Sequence, residues 1–196
     1  MSHLRCIVLL QFTTALAVGQ LAEKSQPASV PKQTEAMVRS LYREVVARHL
    51  LGIPRGADMR VFAPYLSKSL LQRIDVAIAC SEDEARQHPD PNMKPEIVWL
   101  ETGLFSGDVE RTAPDSFHIE RTQAEKDGSF RVYVRLRREP IPLIWRVAVV
   151  VVRENGRFVV DEVTYLKDEI QDEELSLSEL LTIGCDGPRW VGRRKH

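Results

Sequence analysis

Long uninterrupted apolar runs are missing from this chain: none reaches the ~18 residues that a membrane-spanning helix requires, so no span is expected in the mature protein. An excess of charge of one sign is missing too. Lys+Arg 27 against Asp+Glu 28 leaves no polyelectrolyte character, and a nucleic-acid partner is not indicated. Cysteine is scarce, with 3 in 196 residues and no CxxC pair, and the histidines form neither HxxxH nor HExxH, so the chain lacks the spacing of a zinc site. No GxSxG elbow and no phosphate-cradling glycine loop occurs, which removes the commonest hydrolase and nucleotide-binding signatures. Neither a metal nor an organic cofactor is expected. What remains is an ordinary globular composition, 43% hydrophobic, in a chain long enough to bury roughly 70% of its unfolded surface around one core.

The most legible stretch is 127–165. Phe130, Val132, Val134 and Leu136 alternate with Arg131, Tyr133, Arg135 and Arg137, the period of a strand with one wet face. Residues 143–153 are apolar on both faces apart from Arg146, which marks a central strand. Asn155-Gly156 supplies the positive-φ pair of a tight hairpin turn, and 157–165 returns. A further strand over 117–125 enters through the Asp127-Gly128 turn, and counting back from that turn sets Glu120 opposite Arg135. The implied structure is an antiparallel meander.

Ahead of the meander the chain reads as a secretory leader, a linker and helices. Residues 1–19 carry Arg5, an apolar stretch from Cys6 to Val18, and small residues at Ala15, Ala17 and Gly19, the pattern of a signal peptide cleaved after Ala17 or Gly19; an uncleaved anchor is the alternative. That places the mature protein in the periplasm or outside the cell. Residues 20–33 lack periodicity and read as an exposed linker. Thr34 is placed to cap a helix whose apolar face is Val38, Leu41, Tyr42, Val45 and Val46, ending at Gly52. A short helix or turn is expected over 58–65. Ser67 caps a third helical segment with Leu70, Leu71, Ile74, Ala77 and Ile78 on one face, running to Gln87. Short irregular strands are expected over 92–114. After Tyr165 an acidic connection at 167–174 leads to an amphipathic helix over 176–183, and 191–196 forms a basic tail.

This order gives an α+β fold, N-terminal helices packed on a curved antiparallel sheet within a single domain at 34–190. Ser40-Leu41-Tyr42, the Tyr65-Leu66-Ser67 entry to Leu70-Leu71, and the Trp145–Tyr165 hairpin with Asn155-Gly156-Arg157-Phe158-Val159-Val160-Asp161 resemble the nuclear-transport-factor-2-like superfamily. Within it the nearest likeness is the secreted bacterial domain of unknown function 3828. The resemblance implies a cone formed by a bent sheet around a helix, often with a pocket inside. It carries no catalytic residues across, because that superfamily holds both enzymes and inert binding modules.

Site candidates come from a local conflict. Asp161 and Glu162 are adjacent in a strand, so in regular geometry one carboxylate faces inward. Counting from Asn155-Gly156 sets Asp161 opposite Val150, on a face with Arg146 and Tyr165, and Glu162 opposite Val149, on a face with Trp145. An inward carboxylate could act as a general base or orient a ligand; a solvated face would keep both carboxylates wet. Trp99, Trp145 and Trp190 read as core, His49 as a helix-end residue and His118 as a strand-surface residue. Three functions follow: a non-enzymatic module binding a small molecule or an envelope protein, a pocket enzyme of isomerase or hydrolase type using Asp or Glu, and an inhibitor or immunity protein presenting Arg131, Arg135 and Arg137. A homodimer is compatible with each. Loss of Cys6 with the leader would leave Cys80 and Cys185, an even pair for which a disulfide is the expected state in an oxidising compartment.

Overall fold

The computed structural model describes residues 29–87, 102–107, 113–139, 143–167 and 173–185. The expected leader at 1–19, Trp99, Trp190 and the basic stretch at 191–196 lie outside them. Helices α1 (Val30–Arg48), α2 (Gly56–Phe62) and α3 (Lys68–Gln87) precede strands β1 (Ser116–Ala124), β2 (Phe130–Arg138), β3 (Leu143–Glu154) and β4 (Arg157–Tyr165). A two-residue β5 (Leu175–Ser176) and a one-turn α4 (Leu177–Leu180) follow. The strands form one curved, unclosed antiparallel sheet in the order β1-β2-β3-β4-β5, with β3 at its centre. The fold class is therefore α+β.

Helix α1 starts earlier than the capping pattern indicated. Pro31 sits in its first turn, where the missing N–H costs nothing, so the helix absorbs the end of the expected linker. Thr34 is then an interior residue, buried, with its hydroxyl donating to the Val30 carbonyl at 3.0 Å. The helix also ends sooner, at Arg48, because His49 takes the left-handed conformation with φ 46°. Gly52, expected to end it, instead uses its positive φ to present its N–H to the Thr102 carbonyl at 2.7 Å. The 58–65 segment is α2 followed by a 3-10 turn at Ala63–Tyr65. Ser67 does cap α3: its Oγ accepts from the Leu70 N–H at 2.9 Å.

The core lies between the helices and the inner face of the sheet. Val132, Val134 and Leu136 of β2, Trp145, Val147, Val149 and Val151 of β3, and Val160, Val163 and Tyr165 of β4 are buried against Val38, Leu41, Tyr42, Leu70 and Ile74. Two bulges bend the sheet, one at Glu120 in β1 and one at Asp161 in β4, each an extra residue that shifts the register beyond it. The turn at Asn155-Gly156 has φ 49° and 80°, the left-handed pair that a two-residue hairpin requires.

Several expectations are corrected. His118, not Glu120, pairs with Arg135 across β1 and β2, although Glu120 still reaches Arg135 at 3.7 Å. Glu162, not Asp161, lies opposite Val150, and Val163 takes the place opposite Val149. Of the 92–114 stretch, the described 102–107 piece is a turn joined to Gly52 by one bridge rather than a strand. The C-terminal helix is shorter than 176–183, since Ser176 pairs with Thr164 as part of β5 and then caps α4 in a reciprocal box with Glu179. Cys80 and Cys185 are joined, with Cα atoms 6.0 Å apart, tying the segment after α4 to α3. Among the described residues no helix is long and apolar enough to cross a membrane.

Candidate functional site

The inside of the curved sheet is occupied by the turn at 102–107. Leu104 and Phe105 are buried, Phe105 packs on Phe62 with ring centroids 5.3 Å apart, and three aromatic side chains hold consecutive carbonyls of the turn. Tyr165 donates to the Leu104 oxygen at 2.7 Å, Tyr42 to that of Phe105 at 2.7 Å, and the Trp145 indole to that of Ser106 at 2.6 Å. Buried carbonyls without such donors would each cost about 1–3 kcal/mol, so the aromatic residues make the turn compatible with the interior. Gly107 is part of the fit: φ is 75° and a Cβ there would lie 2.9 Å from the Tyr165 ring. Burial pushes both phenols up. Tyr42 stands well above the ordinary tyrosine range, as does Tyr165, where the charges of Tyr42 and Glu162 add to the effect of burial.

The candidate carboxylates join β4 to the helices. The bulge turns Asp161 toward α3, where its Oδ1 accepts from Ser67 Oγ at 2.5 Å while Arg73 bonds its carbonyl oxygen. Ser67 thus connects the bulge to the first turn of α3. Glu162 accepts the Val163 N–H at 3.0 Å and the Ser178 N–H at 3.1 Å, which fixes its carboxylate at the first turn of α4. Between α3 and α4 a small cavity of about 20 Å³ is lined by Arg73, Val76, Ser178, Leu181 and Thr182; it has room for one water.

The five pocket candidates therefore occupy three places. Trp145 and Tyr165 share the buried inner face, Asp161 and Glu162 face the helices, and Arg146 projects from the outer face, where its Nε pairs with Glu120 at 3.1 Å. Among these five residues no carboxylate and second polar group share an open internal space, the arrangement that acid–base chemistry uses. Among the described residues no group of three or more His, Cys, Asp or Glu is placed to hold a metal ion.

Among the described residues an open concavity lies on the outer face. A groove of about 280 Å³ is lined by Ser116, Phe117, His118, Arg135, Arg137 and Ile144. Register explains the grouping. Ser116, Arg137 and Ile144 form one row across β1, β2 and β3, and His118, Arg135 and Arg146 form the next. Alternation along β2 gave Arg135 and Arg137 their outward direction, a pattern readable in the sequence. The contribution of His118 and Ile144 depended on β1 and β3 register and was not. No protein-family model, curated protein or solved structure matches the chain.

Proposed function

We propose that this chain is an exported, non-enzymatic binding module of the nuclear-transport-factor-2-like kind that engages its partner through the outer face of the sheet. The observation that carries the reading is the seating of Leu104, Phe105 and Ser106 under Tyr165, Tyr42 and Trp145, which uses the inside of the cone for packing. The Cys80–Cys185 bond supports an oxidising compartment, and the leader pattern at 1–19 supports export to the periplasm or beyond. Asp161 and Glu162, the residues an acid–base enzyme would use, serve α3 and α4.

Two measurements test this. Full-length chain expressed in an exporting bacterial host should be recovered outside the cytoplasm with its N-terminus at Val18 or Gln20; soluble cytoplasmic protein retaining Met1 would end the export reading. An NMR titration with a mixed set of anionic, neutral and cationic fragments should perturb amides of β1, β2 and the start of β3. Perturbation centred on Tyr42, Leu104 and Tyr165 would put the ligand inside and restore the pocket-enzyme alternative.

A further inference from the structure

We infer that the outer groove receives an acidic, extended segment of a partner protein, with carboxylates two residues apart seated on Arg135 and Arg137. The inference rests on the binding-module reading and adds the chemistry of the partner.

The groove combines charge with exposed apolar surface. Arg135 and Arg137 project from the same face of β2, so their side chains leave the backbone at the spacing of alternate strand residues, about 6.6–6.8 Å. An extended partner segment repeats its same-face side chains at that interval, so acidic residues at i and i+2 match both arginines without distortion. His118 flanks Arg135 in the same row, and Ser116 flanks Arg137, adding polar groups along the β1 wall. Ile144, opposite Arg137 on β3, leaves 49% of its surface exposed, one of few large apolar side chains so placed among the described residues. An apolar side chain next to the partner's carboxylates would cover it.

The charge already present does not block this role. Glu120 lies between Arg146 at 3.1 Å and Arg135 at 3.7 Å, so one carboxylate serves two guanidinium groups. Arg137 meets Glu139, just beyond β2, with side chains 52% and 55% exposed. Pairs so exposed are easily exchanged for a competing carboxylate. The groove's own lining holds Arg135, Arg137 and His118 and no carboxylate, while the carboxylates around it are Glu120, Glu139 and Asp115, whose Oδ2 accepts the Glu139 N–H at 2.7 Å. Arginine suits the task because its planar fork binds a carboxylate through two parallel hydrogen bonds.

The test uses the disulfide-bonded protein and a capped hexapeptide with glutamates two positions apart beside a leucine. Its glutamine counterpart and succinate are the controls. The glutamate peptide should perturb the amides of Ser116, His118, Arg135, Arg137 and Ile144, and Arg137→Ala should weaken it roughly tenfold, the loss of one charge-assisted contact. Arg43→Ala, on exposed α1 surface, should leave binding unchanged, and rising salt should weaken it. Equal binding of the glutamine peptide would overturn the acidic specificity while leaving the outer-face reading standing. Succinate binding as tightly as the peptide would overturn the protein segment in favour of a small dicarboxylate. Concentration-dependent dimerisation lost in Arg137→Ala would overturn it in favour of a second copy. No perturbation of these amides by the glutamate peptide would overturn the inference outright, and the fragment titration then decides the outer-face reading separately.

Discussion

Tyr165 donates its phenolic proton to the carbonyl of Leu104 at 2.7 Å, across 61 residues of chain. That bond joins the last residue of β4 to a turn that crosses the interior, and it places a polar group of each partner where water is excluded. The bulge at Asp161 makes it possible. A regular β4 would set Glu162 opposite Val149 on the core face, whereas the extra residue sends Glu162 toward α4 and brings Val163 and Tyr165 inward. One inserted residue therefore decides both that the inner face is apolar and that a tyrosine meets the turn.

The tyrosine–carbonyl pairs predict a stability loss on hydroxyl removal. Tyr165→Phe and Tyr42→Phe should each cost about 1–3 kcal/mol, because each leaves a buried carbonyl without its donor. The same phenols make stability sensitive to alkali. Their folded ionisation lies above the ordinary tyrosine value of about 10, so their contribution is complete below that value and is lost as pH rises beyond it. Thermal melts from pH 8 to about 11 should therefore fall at the alkaline end, with a smaller fall in Tyr165→Phe. A flat profile would remove the argument.

The two faces of the sheet predict opposite sensitivities. Val149 is fully buried at the centre of β3, so Val149→Asp should cost more than about 4 kcal/mol, a large part of the about 5–15 kcal/mol that stabilises a typical domain. Arg135, exposed and 3.7 Å from Glu120, should tolerate Arg135→Ala at under about 1 kcal/mol. Similar denaturant midpoints for the two variants would reverse the assignment of faces.

The same contrast explains what was legible beforehand. Alternation in β2, the double-faced apolar run of β3 and the Asn155-Gly156 turn are local signals, and the strands they implied are present. Bulges are not local. Nothing around Glu120 or Asp161 distinguishes an extra residue from a regular one, and an error of one residue moved every assigned partner in β4 beyond the bulge. The 102–107 turn was opaque for a different reason: the aromatic side chains recognise its backbone carbonyls, which leave no mark in residue identity. Gly103 and Gly107 were visible only as interruptions. Pro31 concealed the true start of α1, since proline reads as a linker residue as readily as a first-turn residue. The cationic groove was half visible, through Arg135 and Arg137, and half hidden in register.

The Ser67–Asp161 contact predicts coupling between cap and bulge. Ser67 is buried, donates to Asp161 and accepts from Leu70, so Ser67→Ala removes the cap of α3 and frees the bulge together. That variant should lose about 1–2 kcal/mol. Asp161→Ala should lose less, as its side chain is one-third exposed and Arg73 holds its backbone carbonyl independently. The double variant should lose less than the sum, by about 0.5 kcal/mol or more, which urea denaturation of the four proteins measures. Strict additivity would show that the two residues act separately.

The disulfide carries the final prediction. Cys80 is near the middle of α3 and Cys185 follows the turn after α4, 105 residues later, so the bond closes most of the described fold into one loop. By the chain-entropy model a loop of that length stabilises by roughly 4–5 kcal/mol before any native-state cost is subtracted. The region it secures is otherwise lightly held: α4 is one turn long and β5 pairs through two residues. Cys185→Ser should therefore release β5 and α4 first and lower global stability by a few kcal/mol. Glu162 would lose its Ser178 partner in the same step, while Tyr165, anchored by Leu104 and the β3 ladder, would stay in place. Hydrogen exchange resolves this order: amides of 175–185 should lose protection in Cys185→Ser, with those of β2 and β3 retained under native conditions. Uniform loss across the sheet would mean that the bond stabilises the domain as a single unit, and unchanged protection at 175–185 would mean that it stabilises that segment not at all.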